Sequence, residues 1–103
     1  MEKLPKAVIE AKEAGKEILE LTGEEKVYYF EKPGKKDLER FLGTAAKGKV
    51  AMAAQNLVLE KALAPTGEEL KTEFEQYPGR MVALNNALQT VLGLNEEFSV
   101  KKL

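Results

Sequence analysis

"KEILELTGEEKVYYFEKP", residues 16–33, reads in two ways, and the fold follows from the choice. At a period of two, Leu19 and Leu21 share one face, and Val27 and Tyr29 alternate with Tyr28 and Phe30. "TGEE" between the two runs supplies turn chemistry, which gives a β-hairpin. At a helical period, Val8, Ala11, Gly15, Ile18, Leu19 and Thr22 line one long helix ending at Gly23. The hairpin is favoured, because an aromatic, β-branched second strand needs a partner strand. Pro33 ends that strand and pushes the residue before it toward extended geometry.

Upstream, residues 1–15 predict a short helix with Leu4, Val8 and Ala11 on one face, Pro5 in its first turn and Gly15 as its stop. Downstream, Leu38, Phe41, Leu42 and Ala45 mark a helix across "KKDLERFLGTAAK", ended or bent at Gly48. "KVAMAAQNLVLEKALA" predicts a helix closed by Pro65, with Val50, Ala53, Ala54, Leu57 and Val58 as its stripe. Met52, Leu59 and Leu63 lie off that stripe and make the helix apolar nearly all round, as in a central or oligomer-contacting helix. Thr66 with Glu69 is a capping-box signature for a helix burying Leu70 and Phe74. Pro78 opens a last helix that carries Met81, Leu84, Leu88, Val91 and Leu92 and stops at Gly93. The expected fold is α+β, mainly α: a short N-terminal helix and a β-hairpin packed on four short helices. A single domain spans 1–103, with its core at about 16–93 and a flexible tail or edge strand at 94–103.

The composition excludes more than it assigns. Hydrophobic residues make up 44% and charged residues 32% of 103, as expected for a packed core under a solvated surface. Sixteen basic and seventeen acidic side chains leave a net charge of -1, so nothing in the totals attracts a polyanion. A nucleic-acid module, the weakest alternative, would have to use Lys35, Lys36, Arg40, Lys47 and Lys49. There is no cysteine, which removes disulfides, thiolate metal sites and a thiol nucleophile. There is no histidine either, and with it goes the commonest general base and metal ligand. No apolar run is long enough to span a membrane, and the N-terminal stretch is too acidic for a signal peptide, so a cytoplasmic location is expected.

No catalytic constellation stands out in the sequence. The doublets Glu24/Glu25, Glu68/Glu69 and Glu96/Glu97 are sequence neighbours, which do not face each other on a helix or turn. Glu68/Glu69 suit a helix start. "GTAAKGKV" lacks the Lys-Ser/Thr ending of a phosphate loop. No catalytic, cofactor-binding or metal-binding residue is expected, and the protein reads as a non-enzyme. Binding is another matter. Tyr28, Tyr29 and Phe30 cannot all point inward from one strand, so they either cover the hairpin as cross-strand pairs or present a surface to a partner.

Four stretches taken together carry a family likeness. "YYFEKP" running into "KKDLERFL", then "AAQNLVLEKALAP", then "YPGRMVALNNALQTVLG", resembles the small tail assembly chaperones of long-tailed phages and prophages. Where that family commonly has a threonine helix cap after the proline, this chain has Gly34, with Asp37 three residues on. The resemblance implies a non-enzymatic protein of the host cytoplasm that self-associates, coats the tape-measure protein and keeps it soluble until tail-tube protein polymerises around it. It further implies a longer, frameshifted form whose extension would begin near "EEFSVKKL". Contacts are expected from Tyr28, Phe30, Leu59 and Leu63. The alternative is a small adaptor or regulatory domain of another assembly.

Overall fold

A computed structural model of the chain describes residues 4–94 and 96–103. Met1 to Lys3, expected in the first helix, and Asn95, expected in the tail, lie outside them.

The hairpin reading holds. Strands β1 (Ile18–Thr22) and β2 (Val27–Glu31) pair antiparallel, with Leu19 opposite Phe30 and Leu21 opposite Tyr28. The Gly23 N–H donates to the Lys26 carbonyl at 2.8 Å and closes the turn. Residues opposite each other share a face, so these four side chains form one inner face. Phe30 is 1% exposed and Tyr28 5%.

Helix α1 (Lys6–Glu13) contacts the sheet through β1 and the third strand and buries Val8 and Ala11. Packing therefore begins N-terminal to Lys16. Pro5 caps the helix, and Gly15 at φ +82° ends it, a conformation that glycine adopts without a Cβ clash.

Helices α2 (Lys35–Ala46) and α3 (Val50–Lys61) pack side by side, joined through Gly48 at φ +82°. Ala53, Ala54, Leu57 and Val58 of α3 are buried as the stripe predicts, whereas Val50 is exposed at the helix start. The helix was expected to run to Pro65, but it stops at Lys61. Residues Ala62–Ala64 form strand β3 on the other edge of β2, with Ala62 opposite Phe30 and Ala64 opposite Tyr29. A proline disfavours helical geometry in the residue before it, and β2's open edge supplies hydrogen-bond partners for the extended chain. The sheet order is β1-β2-β3.

Helix α4 (Gly67–Gln76) starts on a complete capping box. The Glu69 N–H donates to Thr66 Oγ1 at 3.3 Å, and the Thr66 N–H donates to Glu69 Oε1 at 3.0 Å. Helix α5 (Pro78–Val91) carries Pro78 at its first position. Leu84, Asn85 and Leu88 are buried in it, and Val91 is exposed.

The core joins Tyr28 and Phe30 of β2 to Leu57 and Val58 of α3, Leu70 of α4, and Leu84 and Leu88 of α5. Each such side chain stabilises the fold by about 1.5–3 kcal/mol through burial. The fold is α+β and mainly α, with five helices and a small antiparallel sheet among the described residues. Residues 96–103 join neither a helix nor a strand.

Candidate functional site

The four expected contact residues take different places. Tyr28 and Phe30 both belong to the core, because pairing with Leu21 and Leu19 turns them onto the covered face of the sheet, and Tyr28 also lines the cleft between the hairpin tip and α5. Leu59 is half-buried against that core. Leu63 is half-buried too, but it sits in β3 and not on a helix. Of the three successive aromatics, Tyr29 takes the opposite face, where its hydroxyl donates to Glu20 Oε1 at 3.1 Å.

An open cleft of about 750 Å³ lies between the tip of the hairpin and α5. Leu21 and Tyr28 line it from the sheet, and Ala83, Leu84 and Ala87 line it from the helix. Ala83 and Ala87 are four residues apart on one helix face, so two short side chains in line leave a trough. Glu24, Glu25 and Lys26 of the turn form one rim, and Tyr77 and Arg80 the other.

One carboxylate braces this cleft. Glu73 of α4 accepts from Lys26 Nζ at 3.0 Å and from Arg80 Nη1 at 2.9 Å, both on Oε1. The Tyr28 hydroxyl donates to its Oε2 at 3.0 Å. Lys26 also lies 5.3 Å from the Tyr28 ring centroid, and Arg80 lies 4.1 Å from that of Tyr77. Burial pushes the Glu73 carboxyl up, but the hydrogen bonds from Lys26 and Tyr28 and the charges of Lys26 and Arg80 outweigh it and hold the group below its usual value. Tyr28 moves the other way: burial first, then the Glu73 carboxylate, raise its phenol. The turn, α4 and α5 are thus tied at one point, and the cleft walls are fixed relative to each other.

A second carboxylate works at the back of the molecule. Asp37 accepts from the Gly34 N–H at 2.8 Å, from Arg40 Nη2 at 2.7 Å and from Lys61 Nζ at 3.2 Å. Arg40 also reaches Glu60 at 2.6 Å. The hollow beside this network holds only about 90 Å³, and its polar lining is largely bonded to itself. Among the residues considered for nucleic acid, Arg40 is engaged here, whereas Lys35, Lys36, Lys47 and Lys49 are exposed on α2 and the turn after it.

Among the described residues no group of three or more acidic side chains could hold a metal ion, and no helix is long and apolar enough to cross a membrane. The arrangement is built for apolar contact with a charged edge. Sequence reasoning did not find Glu73, Arg80, Ala83 or Ala87. The four-residue spacing of Ala83 and Ala87 is a local signal that could have found them, but the closure of Lys26 on Glu73 spans 47 positions and leaves none.

No curated protein is significantly similar to the chain. A solved structure of an uncharacterised protein, rbstp2171 from Bacillus stearothermophilus, is 28% identical and superposes with a TM-score of 0.75, over 91% of this chain and 99% of that one. Residues 11–101 match the family described as a domain of unknown function, DUF6848, and the chain belongs to that family.

Proposed function

We propose that this protein is a non-enzymatic chaperone of phage or prophage tail assembly, acting in the host cytoplasm on the tape-measure protein until tube protein surrounds it. The hairpin–α5 cleft is the observation that carries the reading. Its floor is apolar, its walls are braced by Glu73, and its rim is charged. Such a trough suits the apolar face of an amphipathic helix, whose side chains at i, i+3, i+4 and i+7 enter the groove while its polar face stays wet.

The magnitudes agree with coating rather than tight capture. Two or three client side chains buried at about 1.5–3 kcal/mol each leave little surplus after the cost of association. Each contact would then be weak. A long helical client offers many of them, and multiple weak sites in a row bind collectively. The likeness of "YYFEKP", "KKDLERFL", "AAQNLVLEKALAP" and "YPGRMVALNNALQTVLG" to the tail chaperones supports the same conclusion.

The test is co-expression with a long helical tape-measure protein of a long-tailed phage, scored by the soluble fraction of that partner. The chain is expected to solubilise it. Ala83→Arg, an exposed position that fills the trough, is expected to abolish the effect, and Met52→Arg, exposed on α3, to preserve it. A partner that stays insoluble, or an Ala83→Arg variant that works as well as the wild type, overturns the proposal. One partner bound at fixed stoichiometry would identify an adaptor instead.

A further inference from the structure

The last segment of the chain carries large apolar side chains with no cover. Phe98, Val100 and Leu103 are 80%, 94% and 109% exposed. Among the described residues no hydrogen bond or ion pair ties 97–103 to the rest of the molecule. The chain measures 54 × 30 × 27 Å with a radius of gyration of 15.1 Å. A compact domain of this length has about 13 Å, so the molecule is elongated, and the exposed segment 96–103, outside any helix or strand, is its arm. Eight extended residues from Glu96 reach about 26 Å. The family match runs through Lys101, which places Phe98 and Val100 inside the family domain.

An arm with an apolar face at period two needs a covering surface, and the molecule has one of matching chemistry. The cleft floor of Leu21, Tyr28 and Leu84 is apolar. On its rim, Lys26 and Arg80 are held by Glu73, while Glu24 and Glu25 make no ion pair among the described residues. Glu73 offsets only one of those two cations, but the two carboxylates of Glu24 and Glu25 exceed the charge left over, so the cleft is net negative. The tip of the arm carries Lys101 and Lys102, and its own acids, Glu96 and Glu97, sit at the root.

We propose that the arm Phe98–Leu103 of one molecule docks in the hairpin–α5 cleft of a second copy, with Phe98 and Val100 on its floor and Lys101 and Lys102 beside Glu24 and Glu25. Within the single chain Phe98, Val100 and Leu103 stay uncovered, so the cover comes from a second copy. Reciprocal exchange between two copies buries both arms and closes as a two-fold dimer. The arm shares its cleft with the proposed client but does not depend on that client's identity.

Sedimentation equilibrium on the full chain, with no client present, tests this. The expected result is a concentration-dependent dimer. Phe98→Asp, at a position too exposed to threaten folding, weakens it at least about 30-fold, the equivalent of one large apolar side chain withdrawn from burial. Reversing Lys101 and Lys102 to Glu weakens it about 3- to 10-fold, and adding Glu24→Lys and Glu25→Lys in the same chain restores it. A chain monomeric up to about 1 mM, a dimer indifferent to Phe98→Asp, or a charge swap without rescue overturns the inference. A dimer that behaves as expected beside a client that stays insoluble would remove the chaperone reading alone. A solubilised client beside a monomeric chain would remove the arm alone.

Discussion

Helices α2 and α3 are twelve residues each and lie against one another, yet they are held in place by different physics. On α3, Ala53, Ala54, Leu57 and Val58 are buried, and no side chain caps its first turn. On α2 the stripe is equally clear in the sequence, but no residue is wholly buried: Leu38, Phe41 and Ala45 are half-covered and Leu42 is exposed. What α2 has instead is Asp37, which closes its first turn on Gly34 and reaches Lys61 at the far end of α3. An amphipathic stripe states that a helix needs cover. How much cover it receives depends on its place among the layers, and α2 lies outside α3 while α3 faces the sheet and α5.

The largest expected effect tests that contrast directly. Leu57→Ala removes a side chain packed among core residues and should cost about 2–5 kcal/mol, read as a shift of the urea midpoint at constant m-value. Leu42→Ala, 49% exposed on α2, should stay within about 0.5–1 kcal/mol. Equal costs would break the comparison, since α2 would then be held by packing too.

Next in size is the mooring of α2. Asp37→Ala removes the acceptor for the Gly34 N–H together with two cation contacts, and should cost about 1–2 kcal/mol. Asp37→Asn keeps an acceptor and loses only the charge, so it should cost less. The pair separates through pH. Burial raises the Asp37 carboxyl, but the Gly34 N–H, Lys61 and Arg40 outweigh it and hold the group below its ordinary value. A carboxylate depressed in the folded state stabilises the fold above its unfolded pKa, about 3.9, and loses that contribution as pH falls through the lower folded value. Wild type should therefore lose stability more steeply than Asp37→Asn below about pH 4, and the two curves should converge in stronger acid. Some slope must remain in the variant, because Glu73 and Glu69 are depressed in the same direction. Parallel curves would mean that the charge on Asp37 does not moor α2.

These two helices also mark how far the sequence could be read. Periodicity placed α2, α3 and α5, the Thr66/Glu69 spacing placed α4, and alternation with "TGEE" placed the hairpin. Each of these signals is local. Depth was legible only in part: Val50, Leu42 and Val91 fit their stripes and are exposed, because they fall at helix ends or on the outermost layer. Strand β3 was missed for a related reason. "ALA" before Pro65 has no strand signal of its own and becomes a strand only because β2 lies beside it. The same holds for the site, where Tyr28, expected as a contact, is a buried residue lining the cleft and is tied to Glu73 across 45 positions.

The smallest effect concerns the start of α2. Helix α4 begins on Thr66, whose hydroxyl accepts the Glu69 N–H, while α2 begins on Gly34, which has no side chain to accept the equivalent Asp37 N–H. Only the returning half of the box is made, from the Gly34 N–H to Asp37. Gly34 is extended, with φ −119° and ψ −171°, a conformation open to any residue. A Cβ there would meet only Asp37 Oδ2 at 4.0 Å. Gly34→Thr should therefore complete the box and also restrict the unfolded chain, for a gain of about 0.3–1 kcal/mol and a rise in melting temperature of about 2–6 °C. The gain should persist in the Leu42→Ala background, because the cap acts at the helix start and Leu42 lies two turns away. No gain in either background would mean that α2 is positioned along its length by α3, and the difference between the helices would reduce to the two sides of a single contact.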